Sequence, residues 1–182
     1  MPKTDNSFFM AKVNLRMNHL PDKGEISVLD AFGGEGLIWD HIEAHSGKKI
    51  RLLRIDQRND LKGIYLHGDN RKFISSLALG QFDILDLDAY GVCFDLLDYV
   101  IKFDRFSKAH HRIFLTFIQS QYGQLPQKML LRLGYSMPMI KKIPTLFTRD
   151  GIEQLKGYLG LMGICSVYLK SFATKHYLFF ET

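Results

Sequence analysis

Short apolar segments rich in β-formers alternate with segments of helical periodicity along most of the chain. This alternation is typical of β-α-β units, in which helices cover a mainly parallel sheet. Strands are predicted at Ile26–Phe32, Ile50–Ile55, Ile64–His67, Phe82–Leu87, Arg112–Ile118, Ser166–Phe172 and Lys175–Phe180. Helices are predicted at Phe8–Leu20, Leu37–His45, Arg71–Leu79, Phe94–Phe106 and 127–133, and another is predicted to start at Asp150.

The last two predicted strands are separated only by Ala173 and Thr174. A connection this short can join only antiparallel strands. The pattern therefore predicts an α/β fold with a doubly wound, mainly parallel seven-stranded sheet and an antiparallel terminal strand. Asp150 is predicted to cap the last helix while Glu153 reaches back, as in a capping box.

The length of 182 residues and a hydrophobic share of 46% predict one packed domain over residues 1–182. The first twenty residues lack a secretory apolar core, and no apolar run approaches the roughly 18 residues of a membrane span. We therefore expect a soluble, cytoplasmic protein without membrane contact. The spacing of cysteines and histidines indicates no metal site.

Positive charge is concentrated in the second half of the chain, although the formal net charge is only +5. No acidic residue lies between Asp104 and Asp150, and eight lysines and arginines lie there. Three prolines also fall in this region, which predicts a basic, loop-rich excursion at about 119–149. A field of one sign attracts anionic partners, and an ordinary solvated basic surface is the alternative.

The segment VLDAFGGEG, residues 28–36, links the first strand to its helix and carries the strongest motif. Asp30 ends the strand, and Gly34 and Gly36 allow a tight turn and close approach of a ligand. The following helix amino terminus can bind a ligand carboxylate. Dinucleotide binding is the sharper competitor, and the spacing speaks against it, because Trp39 occupies the third glycine position of a GxGxxG motif. A glycine-rich turn without a ligand remains the alternative.

Acidic residues also follow the second and third predicted strands. Asp56 stands where a carboxylate can accept both ribose hydroxyls of an adenosyl group. Asp69, in the segment HGDNRKF, can meet an adenine amino group or cap the next helix.

Together these motifs resemble those of class I S-adenosylmethionine-dependent methyltransferases, and the resemblance covers nearly the whole chain. It implies a Rossmann-like methyltransferase fold with S-adenosylmethionine as the cofactor. In that family the loop holds the methionine part, the second-strand acid the ribose, and the third-strand residues the adenine. The cofactor-binding residues implied here are Asp30, Phe32, Gly34, Gly36, Asp56, Gln57, Asp69 and Asn70.

The segment DLDAYG, residues 86–91, ends the fourth predicted strand. A carboxylate and a carbonyl can accept the hydrogens of an exocyclic amine, and an aromatic ring can stack on an extruded base. Asp86, Asp88 and Tyr90 are therefore the candidate catalytic residues. The segment resembles D-x-D-P-[FY]-G of tRNA guanine N2-dimethyltransferases and, more loosely, [DN]-P-P-[YF] of nucleic-acid amino-methyltransferases. Ala89 stands in place of the family proline.

These residues predict a methyltransferase that modifies an exocyclic base amine of nucleic acid, with RNA favoured over DNA. The predicted substrate-binding residues are Gln119, Tyr122, Lys141 and Lys142. One alternative is a methyltransferase acting on a small molecule or a protein. The other is a non-catalytic module that binds S-adenosylmethionine. The oligomeric state is unknown from the sequence.

Overall fold

The computed structural model of the protein describes residues 8–119, 124–142 and 150–182. The strands are β1 Glu25–Asp30, β2 Lys49–Asp56, β3 Leu66–His67, β4 Ile84–Leu87, β5 Arg112–Ile118, β6 Val167–Phe172 and β7 Lys175–Glu181. The helices are α1 Phe9–Met17, α2 Leu37–Ser46, α3 Asn70–Ser76, α4 Phe94–Ser107, α5 Gln127–Arg132, α6 Met137–Lys142 and α7 Gly151–Leu161. A 3-10 turn lies at Leu79–Gln81.

The seven strands form one sheet in the order β3-β2-β1-β4-β5-β7-β6. Strands β1 to β5 pair in parallel, whereas β7 lies antiparallel between β5 and β6. This topology confirms the predicted doubly wound sheet with an antiparallel terminal strand. The chain reverses its direction of winding between β1 and β4, which places a crevice beyond the carboxyl ends of these strands.

Side chains alternate between two apolar layers, one on each face of the sheet. In β4, Ile84 packs in the layer covered by α1 and α2, and Leu85 packs in the layer covered by α4 and α7. Asp86 lies two residues after Ile84 and therefore on the same face of the sheet, so its side chain points toward α1 and α2. Burial on both faces is usual for parallel sheets and explains why the strands are almost continuously hydrophobic.

The predicted helices are present, although some boundaries differ. Helix α1 ends at Met17 rather than near Leu20, and α3 ends at Ser76 before the 3-10 turn. Helix α6 was not predicted, because Pro138 suggested a loop. Pro138 lies in the first turn of α6, where a missing N–H costs no intrahelical hydrogen bond. The described part of the basic excursion is therefore largely helical.

The capping box predicted at Asp150 is wrong. Asp150 occupies the N-cap position of α7, but its side chain makes no capping hydrogen bond within the described ranges. Glu153 pairs instead with Lys156 at 3.0 Å, one turn further along the same helix.

The longest of the described helices is α4, with 14 residues. None of the helices in the described ranges is long and apolar enough to cross a membrane.

Candidate functional site

A cavity of about 820 Å³ opens at the carboxyl ends of β1, β2 and β4. This volume is typical of sites for small molecules, and the position is the crevice expected for this topology. One wall is the glycine loop, residues 32–37, and another is the segment 88–90. Residues Phe9 and Lys12 of α1 complete the lining on a third side.

Two glycines give the loop its shape. Gly34 has φ 47° and Gly36 has φ 81°, in the left-handed region that favours glycine. The Gly36 N–H donates to the Gly33 carbonyl at 2.8 Å, and α2 begins at the next residue. The loop therefore presents backbone, without an intervening Cβ, to the cavity.

Arg54 of β2 holds the glycine loop, a role that sequence reasoning missed. Its side chain is almost completely buried and donates to the Gly34 carbonyl at 3.0 Å and to the Lys62 carbonyl at 2.8 Å. A Cβ added to Gly33 would lie 2.7 Å from the Arg54 Cβ, so only glycine fits there. The available signal was a cation inside an otherwise hydrophobic strand that follows a glycine loop.

Asp56 lies in the cavity wall and also fixes the loop. Its carboxylate accepts the Gly34 N–H at 3.0 Å and the Arg58 N–H at 2.8 Å. An ionised carboxylate offers about four acceptor sites, so capacity remains for ligand hydroxyls. Gln57 follows Asp56 in the same wall.

A second cavity, of about 440 Å³, adjoins the first and shares Phe32, Gln57 and Tyr90 with it. Asp69 and Asn70 line it. The Asp69 carboxylate caps α3 by accepting the Arg71 N–H at 2.8 Å, one of the two roles expected for it. The Asn70 amide donates to the Ala31 carbonyl, while its buried Oδ1 has no hydrogen-bond partner in the described part of the chain.

Three carboxylates meet below the first cavity. Asp30 of β1, Asp86 of β4 and Asp88 just after β4 are close enough for their charges to interact, and all are largely buried. Burial raises the pKa of Asp30 well above its ordinary value, and the charges of Asp86 and Asp88 raise it further. A cation bound beside Asp30 would reverse this shift.

Helix α1 supplies two cations to this acidic cluster. Arg16 donates to both oxygens of Asp86 at 2.6 and 2.7 Å, and Lys12 donates to both oxygens of Asp88 at 2.8 and 2.9 Å. Four residues of helix span about 6.0 Å, and two residues of strand span about 6.6 Å. The i, i+4 cations therefore match the i, i+2 carboxylates in spacing, a pattern that the sequence contains and that sequence reasoning missed.

Asp86 is the anchor of α1 rather than part of the cavity wall. It is 1% exposed, and Trp39 Nε1 donates to it at 2.8 Å in addition to the two bonds from Arg16. Burial raises the pKa of Asp86, while the Arg16 guanidinium opposes the rise. These contacts correct the prediction that Asp86 meets a substrate, because its lone pairs are directed into the protein core.

Asp88 lies in the cavity wall. Thr116 Oγ1 donates to its Oδ1 at 2.5 Å, beside the bonds from Lys12. Burial by itself would raise the pKa of Asp88, but the Arg16 and Lys12 cations outweigh it and hold the pKa below its ordinary value. Asp88 is therefore an ionised acceptor at neutral pH.

Tyr90 lines both cavities and is 83% exposed. The preceding turn is closed by a hydrogen bond from the Ala89 N–H to the Leu87 carbonyl at 2.9 Å. Proline at position 89, as in the tRNA guanine N2-dimethyltransferase motif, has no N–H and would remove this bond. The turn of this chain is therefore closed by a hydrogen bond that proline cannot make.

The predicted substrate-binding residues do not converge on the cavity. Gln119 is buried and absent from both cavity linings, and Tyr122 lies outside the described residues. Lys141 and Lys142 are exposed at the end of α6. Elsewhere in the basic region, Lys128 pairs with Asp95 at 2.9 Å. Similarly, Arg132 lies 3.6 Å from Asp98.

No protein-family model and no curated protein matches this chain. Solved structures do match it. An S-adenosylmethionine-dependent methyltransferase from Archaeoglobus fulgidus aligns over 98% of this chain and 97% of its own, with a TM-score of 0.60 and 15% identity. A protein from Plasmodium falciparum described as a ribosomal RNA methyltransferase aligns over 98% and 97%, with a TM-score of 0.56 and 14% identity.

YhhF from Escherichia coli, described as a methyltransferase, aligns over 100% of this chain and 86% of its own, with a TM-score of 0.51 and 14% identity. Similarity at these identities shows the fold. The chain has the Rossmann-like fold of class I S-adenosylmethionine-dependent methyltransferases.

Proposed function

We propose that this chain, which has the fold of class I S-adenosylmethionine-dependent methyltransferases, methylates an exocyclic base amine of nucleic acid, with RNA favoured. One observation carries the proposal: a single cavity joins the glycine loop to the ionised Asp88 carboxylate and the exposed Tyr90 ring. A cofactor site and an amine-binding site thus share one space.

The residues present fit S-adenosylmethionine. Gly34 and Gly36 leave room for its methionine part, and the methionine ammonium would supply the cation that favours the ionised form of Asp30. Asp56 and Gln57 would hold the ribose, and Asp69 and Asn70 the adenine, where the buried Asn70 Oδ1 has no hydrogen-bond partner among the residues that the structure describes. When bound, the cofactor supplies an electrophilic methyl group on a sulfonium.

Asp88 and Tyr90 would act on the substrate amine. The amine nitrogen gains a methyl group and loses one proton, so it reacts best when its N–H is held by an acceptor. Asp88 is an ionised acceptor in the cavity wall, and the exposed Tyr90 ring offers a face on which an extruded base can stack.

The choice of nucleic acid as substrate rests on charge. Lys141 and Lys142 are exposed at the end of α6, and no described carboxylate pairs with either of them. Such cations are available to neutralise phosphates. By contrast, Lys128 and Arg132 are engaged by carboxylates of α4, which reduces the field of the basic region.

Methyl transfer tests the proposal directly. We expect S-adenosylmethionine or its demethylated product to raise the melting temperature, because a ligand selective for the native state stabilises it. Tritiated S-adenosylmethionine should label total RNA, and nucleoside analysis should find the label on a base amine. Labelling of protein or small molecules instead would favour that alternative, and cofactor binding without transfer would favour a binding module. Stabilisation by NADH alone would overturn the proposal.

Salt dependence tests the nucleic-acid partner separately. Replacing Lys141 and Lys142 together by Ala should reduce the slope of log affinity against log salt by about 1.4 for single-stranded RNA, since each phosphate contact contributes about 0.7. Lys128→Ala is the matched control, because Lys128 is already paired with Asp95, and it should change the slope less. Equal slopes for the wild type and the double variant would remove these lysines from the interface.

A further inference from the structure

Lys12 is a largely buried cation in the cavity wall, contributed by a helix that precedes the first strand. It is 9% exposed, and its Nζ bonds both oxygens of Asp88. The ring of Tyr177 lies 5.5 Å behind the ammonium group. A lysine held by two hydrogen bonds and an aromatic face has a fixed position rather than the mobility of a surface lysine.

Charged and polar groups face Asp88 from each neighbouring element. Helix α1 contributes Lys12 and Arg16, and β1 contributes Asp30. The other groups are Asp86 on β4, Cys93 before α4 and the Thr116 hydroxyl on β5. Arg16 is held by Asp86 through two short bonds and lies 3.7 Å from Asp88. Lys12 is therefore the cation in direct contact with Asp88.

The two oxygens of Asp88 are not equally occupied. Oδ1 accepts from Lys12 and from Thr116, whereas Oδ2 accepts from Lys12 and has Arg16 only at 3.7 Å. Since a carboxylate oxygen has about two acceptor sites, Oδ2 retains the capacity for one more donor. Lys12 bridges both oxygens and so fixes the plane of the carboxylate.

We infer that Lys12 is a positioning residue that fixes the Asp88 carboxylate in the cavity wall and keeps it ionised, so that it can accept a hydrogen bond from the substrate amine. This inference rests on the proposed function, because it assigns Asp88 the role of amine acceptor. Without Lys12, Asp88 would face Asp30 and Asp86 with Arg16 as its cation, and Arg16 lies 3.7 Å away and is already held by two bonds to Asp86. A protonated Asp88 would donate a hydrogen bond to the amine nitrogen and occupy the lone pair that must attack.

The test compares Lys12→Met, which removes the charge, with Lys12→Arg, which keeps it. Lys102→Met is the matched control, because Lys102 pairs with the buried Asp98 away from the cavity. Near-UV circular dichroism checks that each variant is folded. Single-turnover methyl transfer to total RNA is measured from pH 3 to 8.5 with saturating cofactor.

In Lys12→Met we expect the midpoint of the acid limb of the rate profile to move up by at least about one pH unit. At the pH of the wild-type midpoint, the rate of the variant should then be at least about fivefold lower than that of the wild type. The KM for S-adenosylmethionine should change little, and Lys12→Arg should restore most of the rate. An unchanged acid limb in a folded Lys12→Met variant would overturn the inference.

A second readout does not depend on turnover. The carboxyl carbons of ¹³C-labelled aspartate are titrated by NMR, and the Asp88 signal is assigned by its loss in Asp88→Asn. The pKa of Asp88 should be at least about one unit higher in Lys12→Met than in the wild type or Lys102→Met. An unchanged Asp88 titration overturns the inference even if the protein methylates nothing. If the Asp88 titration shifts but the protein transfers no methyl group, the effect of Lys12 on the ionisation of Asp88 is confirmed and the proposed function is refuted instead.

Discussion

Buried charges lie at both ends of the sheet, and the two clusters differ in charge balance and in access. At the carboxyl ends of the strands, three carboxylates meet the two cations of α1, and Asp88 opens onto the large cavity. At the amino end of β5, Asp104 of α4 meets His111, and neither residue lines either of the two cavities described above. The first cluster is acidic and open, and the second is paired and closed.

The closed cluster satisfies its polar groups internally. His111 Nδ1 donates to Asp104 at 2.6 Å, and Nε2 donates to the Leu79 carbonyl at 2.9 Å. Because a carbonyl and an ionised carboxylate only accept, this arrangement favours hydrogen on both ring nitrogens, which is the imidazolium form. The Thr182 hydroxyl donates to Asp104 and accepts the His111 N–H.

This difference indicates how a ligand-binding site can be distinguished from a purely structural ion pair. Burying a charge is costly in either place, so both clusters need partners. Only the cluster with surplus carboxylates and an unfilled acceptor beside a cavity can gain from binding a cation or an amine. A closed ion pair with balanced charges has neither a free acceptor nor an uncompensated charge with which to bind a ligand.

The largest effect is expected for Arg16→Met. This change leaves Asp86 buried without its cation, which should lower the free energy of unfolding by about 3–5 kcal/mol. Urea denaturation measures it, and the fluorescence of Trp39, the single tryptophan, reports on the site because its indole N–H bonds Asp86.

Arg132→Met is the control for Arg16→Met. Arg132 also lies beside a carboxylate, but its side chain is 47% exposed, so about 0–1 kcal/mol should be lost. A loss of less than about 1 kcal/mol in Arg16→Met would show that α1 is not anchored by this pair.

A crossed pair of variants separates catalysis from stability. Asp88→Asn should lower the rate of methyl transfer at least about a hundredfold while cofactor binding persists, since a positioned ionised acceptor is lost. Asp104→Asn should lower the free energy of unfolding by about 1–3 kcal/mol, because His111 loses its carboxylate, and should leave the rate per folded molecule unchanged. Single-turnover rates and urea denaturation are measured for both. The reverse pattern would contradict the distinction between the clusters.

The fold could be predicted almost completely from the sequence. All seven strands are present, because buried strands are hydrophobic and are bounded by polar or glycine-rich turns. The two-residue connection after Phe172 correctly indicated the antiparallel pair at the sheet edge. Helix α6 could not be predicted from periodicity, since it has only six residues and includes Pro138.

The site was predicted in part, and the omissions have one physical cause. Local motifs placed Asp30, Gly34, Asp56 and Asp88 around one cavity, because strand ends in a parallel sheet meet at one edge. Lys12, Arg16 and Arg54 were missed because the carboxylates and the glycine-loop carbonyl that they bind are 20 to 76 residues away in sequence. Contacts at such separations follow from how elements pack, which local patterns do not record.

The smallest expected effect is a pH dependence of stability from the closed cluster. Burial by itself would lower the pKa of His111, but the hydrogen bond to Asp104 and its charge outweigh burial and raise it above 6.5. The native state therefore holds a proton that the unfolded state releases between the two pKa values. Stability from this pair is fully present below about pH 6.5 and is lost as the pH rises through the raised native pKa.

The test is the difference between the wild type and His111→Gln in urea denaturation from pH 5.5 to 9. His19 and His176 have lowered pKa values, so they add stability as the pH rises and would mask the effect in the wild type alone. Subtracting the variant removes their contribution, because both histidines remain. The advantage of the wild type should then shrink above pH 6.5, by at most about 1.4 kcal/mol per pH unit for one proton. If the difference stays constant across the range, His111 is neutral in the folded protein. The Asp104 carboxylate would then have hydrogen bonds but no opposite charge beside it.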